Sequence, residues 1–378
     1  MRILAVQSNI HPVRGGGGAE RTLQLSRALA QAGCEVVVLC VDLGETAEVR
    51  ARLAPVPLET VPCIVRRFAL PAPATGVITR LVRGADVIHL QGHWGPINAL
   101  VSSRARALDV PYVVSPAGAL PIFGRSRLAK RVYNRWAGRE MVRNAAGWIA
   151  VTPDELPHFA AYGVPADRVR VIPNGVSPSE LTHRDDSGFR ARFGLGEAPL
   201  LLFMGRLSAI KGPDLLVEAF ARVHERLPHT LVMAGPDDGM AGSLGNLVEQ
   251  HGLGRRVLLV GHLSGVWKSA ACHAAELLVI PSRREAMSLV VLEAGVTGTP
   301  FLATDHCGLE ELARAGGGTT VPGSVEGLAA GLEVALGDRD ALRERGETLR
   351  RIVVRDATWQ VAAARLLAYL DEIGATPP

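Results

Sequence analysis

The 378-residue chain contains no apolar run long enough to cross a bilayer, which takes about 20 such residues in succession. It has only five cysteines, Cys34, Cys40, Cys63, Cys272 and Cys307, with no CxxC pair and no metal-type spacing. An odd count argues against a disulfide framework and points to a reducing cytoplasm. Cys34 and Cys40 flank or lie in an expected strand and read as packing residues. Glycine and proline are plentiful, yet no low-complexity tract appears. The first segment, RILAVQSNI, has one Arg, a short apolar run and no cleavage-type site, so it reads as a strand rather than a leader. Two nucleotide motifs are also missing. No Gly-Lys-Ser/Thr closes a P-loop. Read from Gly15 or Gly16, the sixth position of a dinucleotide fingerprint is Glu20 or Arg21 rather than Gly, which disfavours a nicotinamide dehydrogenase.

The chain length suits two domains. Strand and helix alternate: strands at Ile3–Ser8, Glu35–Val41, Val87–Leu90, Tyr112–Ser115, Trp148–Val151 and Val169–Ile172. Between them, helices are expected at Ala19–Ala32, Pro96–Ala107 and Leu128–Asn144. Pro173–Glu180 and His183–Gly188 read as a linker. A second series follows, with strands at Leu200–Met204, Thr230–Ala234, Arg256–Val260, Leu277–Ile280 and Phe301–Thr304. Alternation at this spacing predicts an α/β protein with two Rossmann-like parallel-sheet domains facing a cleft.

Two segments carry chemistry. In PSRREAMSLVVLEAGVTGTP, Pro281–Pro300, a buried strand leads through a polar turn into a helix. Glu285 falls in the turn and Glu293 about a turn and a half into the helix. The helix N-terminus offers backbone N–H groups to an anion, here those of Met287, Ser288 and Leu289. In LLFMGRLSAIKGPDLLVEAF, Gly205 opens a turn bracketed by Arg206 and Lys211, and Pro213 suits the first turn of the next helix. Arg supplies a rigid fork for phosphate oxygens and Lys a mobile point charge. Both turns lie at carboxyl ends of parallel strands, where open α/β sheets bind ligands. Phosphate-binding groups beside two carboxylates fit a sugar nucleotide, with its diphosphate, ribose and sugar. The glycine run Gly15–Gly18 lets backbone at Gly16 and Gly17 approach a phosphate or sugar closely. Gly235 precedes the turn acids Asp237 and Asp238, near the base or sugar.

These segments resemble the retaining family-4 glycosyltransferases of the two-domain B fold (GT-B). The matching residues are Gly205-Arg206, Lys211-Gly212, Pro281-Ser282, the Glu285-x7-Glu293 spacing, Ala303-Thr304-Asp305 and Glu310-Glu311-Leu312. Gly15–Gly18 with Glu20-Arg21 and Ile172-Pro173-Asn174-Gly175-Val176 match in the first half. Asp86–His89, Pro111–Pro116 and Val151–Glu155 look most like bacterial enzymes that build surface polysaccharide. The resemblance implies an acceptor-binding domain at 1–175, a nucleotide-sugar-binding domain at 176–355, and a last helix within 356–378 crossing back to the first. It implies a nucleotide-sugar donor, with Arg206, Lys211 and the amides of Met287–Leu289 on the diphosphate. Glu293 would take the ribose hydroxyls, Glu285 the donor sugar, and backbone around Gly261–Leu263 the base. No cofactor and no metal are required. Asp338-Arg339-Asp340, a metal motif of another glycosyltransferase fold, lies in a polar helical stretch and reads as a solvated face.

Two positions depart from the family pattern. Glu285-Ala286-Met287 replaces Glu-Gly-Phe, and a residue other than Gly is strained if φ is positive there. Ala117 stands where relatives carry a His that contacts the donor sugar. Either His93 or Gln91 substitutes, or the donor lacks the matching hydroxyl. His89, ending a strand, is a further sugar-contact candidate. A same-fold nucleotide-sugar epimerase is one alternative, though no convincing acid/base trio supports it; a catalytically weak sugar-nucleotide-binding protein that lost activity with the His that Ala117 replaces is the other.

Charge is concentrated. Arg125, Arg127, Lys130, Arg131, Arg135, Arg139 and Arg143 crowd one stretch. Leu128, Val132 and Trp136 share one face of it at i, i+4 spacing. This basic amphipathic stretch, 125–143, suits peripheral contact with anionic lipid at the inner face of the membrane. A stripe packed into the core is the other reading. The acceptor is then a saccharide or lipid-linked saccharide. No motif supports nucleic acid.

Overall fold

The computed structural model describes residues 1–11, 13, 15–44, 46–124 and 126–375. Arg125 of the basic stretch lies outside them. The chain divides into two units, Met1–Gly175 with Trp359–Pro378, and Val176–Thr358.

The first unit is built on eight strands: β1 (Arg2–Val6), β2 (Glu35–Asp42), β3 (Leu58–Val65), β4 (Leu70–Pro71), β5 (Val87–Gln91), β6 (Tyr112–Ser115), β7 (Gly147–Ala150) and β8 (Val169–Val171). Their spatial order is β4-β3-β2-β1-β5-β6-β7-β8. Among the described residues only the β3–β4 pair is antiparallel. Side chains alternate across the pleat. Leu4, Val6, Ile88, Leu90 and Val114 therefore share one core with Ile78, Leu81, Ile97 and Val101 of the helices Thr75–Arg83 and Pro96–Ala107. The helix Gly16–Gln31 begins inside the glycine run, earlier than the sequence pattern suggests. Its first N–H groups need no intrahelical acceptor, so glycine costs least there. The helix Trp359–Glu372 returns to this unit, where Tyr369 Oη accepts from the Trp148 N–H at 3.0 Å.

Two differences from the sequence pattern have local causes. Pro62 makes Leu58–Val65 read poorly as a strand, yet it pairs in parallel with β2. The helix expected over Leu128–Asn144 is split into Arg127–Tyr133 and Arg139–Arg143 by a π-helical turn at Asn134–Gly138. Asn134 turns inward to His93 and Tyr162. Its side chain fills the space that a Cβ on Gly138 would take, 2.4 Å away. Leu128, Val132 and Trp136 do not pack into the unit; they are 72%, 52% and 80% exposed.

The second unit has six strands: β9 (Leu200–Met204), β10 (Thr230–Ala234), β11 (Val257–Gly261), β12 (Ala275–Ile280), β13 (Phe301–Thr304) and β14 (Gly318–Val321). All are parallel, in the order β11-β10-β9-β12-β13-β14. Both faces are covered: Leu200, Leu202 and Met204 enter one core, Leu201 and Phe203 the other. The order reverses between β9 and β12, which lie side by side. Such a reversal splays the connections after the two strands and opens a crevice at their carboxyl ends. Asp338 caps the helix Arg339–Asp356, accepting from the Ala341 N–H at 3.0 Å. Asp340 faces solvent.

Candidate active site

The turn after β9 and the turn after β12 meet at the reversal. Lys211 Nζ donates to Glu285 Oε1 at 2.6 Å, with both side chains mostly out of water. Ser282 Oγ donates to the other carboxylate oxygen at 3.1 Å, and the Glu285 N–H donates to the His306 carbonyl at 2.8 Å. Arg206 leans on Asp238 at 3.6 Å at the half-exposed rim. Glu293 stands on the helix Leu289–Thr297, paired with Lys268 Nζ at 2.7 Å. Ser288 precedes that helix without a side-chain capping bond.

Glycines bring these turns close together. A Cβ on Gly235 would lie 1.7 Å from the Gly205 carbonyl oxygen. The Gly205 N–H donates to the Ala234 carbonyl and the Gly235 N–H to that of Gly261, at 2.9 and 2.8 Å. Gly212 has φ +63°, and a Cβ there would meet the Pro281 carbonyl oxygen at 2.0 Å. Leu263 and Met287 pack into or against the core beneath. Asp237 is a local cap, its Oδ1 accepting from the N–H groups of Gly239, Met240 and Ala241. Ala286 is not among the residues with positive φ, so the replacement of glycine carries no backbone strain.

One organising residue escaped the sequence reading. The Arg283 N–H donates to the Ile210 carbonyl at 2.9 Å, and its guanidinium to the Ala209 carbonyl at 2.7 Å. The same guanidinium forks onto both Asp214 oxygens, at 2.8 and 2.6 Å. Burial pushes the Asp214 carboxyl up, but the paired Arg283 and the backbone N–H groups of Asp214 and Leu215 together hold it below its ordinary value. Arg283 thus ties the Glu285 turn to the Lys211 turn. Its only sequence signal is its place two residues before Glu285.

In the first unit, Gly16 and Gly17 open the helix Gly16–Gln31, with φ +59° at Gly16 and Gly17 exposed. Ala117 has φ +49°, a region that costs a non-glycine residue energy. The adjoining turn is held by buried Glu155, whose carboxylate accepts from the Gly118 and Val151 N–H groups at 2.6 and 2.8 Å. Burial raises the Glu155 pKa against those hydrogen bonds. His93 is buried among Trp94, Tyr133 and Tyr162, with Nε2 at 2.8 Å from Asn134 Oδ1. His89 and Gln91 point to one face of β5, and Gln91 lies in register with Ser115. Both ring nitrogens of His89 and both amide atoms of Gln91 are buried without a protein partner.

Burial pushes the His93 pKa down to about 4. It pushes that of His89 to about 3, with Arg21 adding to the shift. An unfolded histidine titrates near 6.5. Below that pH the unfolded chain takes up protons that these two neutral rings refuse. Their contribution to stability is therefore complete above about pH 6.5 and lost progressively toward pH 4. At pH 4.5, two units below the unfolded value, each ring is expected to cost about 2–3 kcal/mol. Urea unfolding at pH 7 and pH 4.5 checks this, since His93→Asn should remove about half of the difference.

Comparison with known proteins agrees with this geometry. A family model described as glycosyltransferase family 4 matches residues 15–180, and one described as glycosyl transferases group 1 matches residues 187–351. Among solved structures, HepE of Anabaena in complex with UDP-glucose is similar with a TM-score of 0.81 and 18% identity, covering 98% of this chain and 100% of that one. The catalytic domain of starch synthase IV from Arabidopsis thaliana, bound to ADP and acarbose, gives 0.76 and 14%, covering both chains fully at 100%. The fold is the two-domain B fold, with a parallel α/β sheet in each unit. The chain belongs to glycosyltransferase family 4, a family of retaining transferases. It is 32% identical to D-inositol 3-phosphate glycosyltransferase of Nocardia farcinica over 55% of its own length and 49% of that protein's. It thus spans about half of that relative. It is 28% identical to glycogen synthase of Mycobacterium tuberculosis over 98% of its own length and 94% of that protein's.

Proposed function

We propose that this protein moves a sugar from a nucleotide-sugar donor to a saccharide or lipid-linked saccharide acceptor, with retention and without a metal, in the synthesis of a cell-surface polysaccharide. The domain over 176–355 takes the donor and that over 1–175 the acceptor; the helix within 356–378 completes the latter. The observation that carries this reading is the meeting of Lys211 with Glu285 at the strand-order reversal, 2.6 Å apart.

The donor diphosphate draws Lys211 away from Glu285 and Arg206 away from Asp238. The backbone N–H groups of Met287–Leu289, at the N-terminus of the helix, supply neutral donors to the same group. As the bond to the anomeric carbon breaks, negative charge grows on the diphosphate, where fixed cations lower the barrier most. The acceptor hydroxyl adds to the same face and passes its proton to the leaving phosphate. Glu285, released from Lys211, contacts the donor sugar. Glu293 binds the ribose hydroxyls. Of the two residues that could replace the sugar contact Ala117 does not make, Gln91 keeps an unpartnered amide while His93 Nε2 is occupied. Incubation with UDP-, ADP- and GDP-sugars and an oligosaccharide acceptor tests the reading. Release of nucleoside diphosphate must depend on acceptor, and the product must keep the donor's anomeric configuration.

The reading includes a membrane-peripheral site of action in the cytoplasm. All five cysteines are free thiols, which fits a reducing compartment. No helix among the described residues is long and apolar enough to cross a membrane. The exposed Leu128, Val132 and Trp136 lie among exposed Arg127, Arg131 and Arg135. Each such cation near an anionic surface contributes about 1 kcal/mol. Lys130 is committed elsewhere: its Nζ donates to the Phe123 carbonyl at 2.8 Å and sits over the Trp94 ring. Reversing Arg127, Arg131 and Arg135 to Glu should abolish co-sedimentation with phosphatidylglycerol vesicles and spare turnover on a soluble acceptor. A wild-type protein that ignores such vesicles at low salt removes the membrane from the proposal.

A further inference from the structure

The Glu293 carboxylate has a partner that belongs to none of the sequence motifs. Lys268 Nζ donates to Glu293 Oε1 at 2.7 Å, with the two side chains only 20% and 14% exposed. Lys268 comes from the helix Gly265–Ala274, which follows β11. Lysine is rare in this chain: Lys130, Lys211 and Lys268 are the only three among 41 basic residues. Two of the three are each bound to one of the two motif glutamates.

The platform under the pair is rigid. Thr299 Oγ1 and Thr297 Oγ1 both donate to the Cys272 carbonyl, at 2.7 and 3.3 Å, so the segment bearing Glu293 is pinned to the helix bearing Lys268. Cys272, one turn beyond Lys268, is fully buried, and its thiol is pushed up to about 12 by burial and then by the charge of Glu293. A lysine is a point charge that engages a single oxygen, where an arginine would fork across both.

We propose that Lys268 is a positioning residue for the donor: it holds one oxygen of Glu293 and aims the other at the ribose hydroxyls. The inference rests on the reading of Glu293 as the ribose-binding carboxylate. A pair that only supported the fold would affect every nucleotide alike. A pair that aims a carboxylate affects only nucleotides that have ribose hydroxyls.

The experiment uses the full chain and the best binder among UDP, ADP and GDP, with its 2′,3′-dideoxy counterpart, titrated calorimetrically into Lys268→Met, Lys268→Arg and Glu293→Gln. Lys268→Met should weaken the ribonucleotide by roughly tenfold, within the range for a lost hydrogen bond to a charged group. The dideoxy ligand should be unaffected, so that discrimination collapses. KM for the donor should rise with kcat nearly unchanged, and Lys268→Arg, whose fork would occupy both Glu293 oxygens, should not restore the affinity. If Lys268→Met does not fold, Lys268→Gln carries the same comparison. Equal weakening of both ligands, or no weakening, while Glu293→Gln abolishes discrimination, overturns the role of Lys268. Discrimination that survives Glu293→Gln overturns the ribose reading itself, and the inference with it.

Discussion

Lys211→Ala is expected to lower kcat by about 10²–10³-fold, and Arg206→Ala by a similar factor. Loss of one fixed group aimed at developing charge typically costs about 2.7–4 kcal/mol of barrier. Both side chains rise from one turn after β9, at the reversal of strand order, and each rests on a carboxylate that a diphosphate would replace. Their effect on the fold should differ. Arg206 is half-exposed and pairs only at 3.6 Å, so its loss should barely move the melting temperature. Lys211 leaves Glu285 without its counter-charge, so that variant should melt somewhat earlier. Steady-state release of nucleoside diphosphate, with thermal melts alongside, checks both. Near wild-type turnover in both variants would mean that the diphosphate binds elsewhere.

The two glutamates should fail in opposite ways. Glu293→Ala should weaken nucleoside diphosphate binding by roughly 10–100-fold, the range for lost hydrogen bonds to a charged group. Glu285→Ala should bind the same nucleotide as well as the wild type or better, because Lys211 no longer has to leave a carboxylate to reach phosphate. Its deficit should appear in kcat. Calorimetric titration of each variant, followed by donor turnover, separates the two. Equal losses of nucleotide affinity would remove the assignment of Glu293 to the ribose side and Glu285 to the sugar side.

Much of this was legible in the chain because strands buried on both faces are nearly continuous apolar runs. Leu200–Met204, Thr230–Ala234 and Phe301–Thr304 were bounded to the residue for that reason. The motif turns follow from the same reading, since a turn at the carboxyl end of a parallel strand is a place and not only a pattern. What escaped was tertiary. Leu58–Val65 hides behind Pro62, and the π-helical turn at Asn134–Gly138 depends on where His93 and Tyr162 sit. The stripe of Leu128, Val132 and Trp136 has the same period whether it faces core or solvent. Arg283 and Lys268 could not be singled out, because their roles lie in partners 69 and 25 positions away. The burial of His93 was equally invisible, since a lone histidine after a strand looks the same in either setting.

The helix Trp359–Glu372 has a consequence for how the molecule comes into being. The chain leaves the first unit after Gly175 and rejoins it at Trp359. The second unit opens and closes at one place, where the Val176 N–H donates to the Ala357 carbonyl at 2.9 Å. On the ribosome, domains generally fold in order of emergence, at about 5–20 residues per second. Here the first unit to emerge is the last that can finish, because Tyr369 reaches Trp148 only after the second unit has been made. The nascent first unit waits roughly 10–40 s with that face open. A circular permutant that joins Trp359–Glu372 ahead of Arg2 would shorten the wait and allow the first unit to be produced alone.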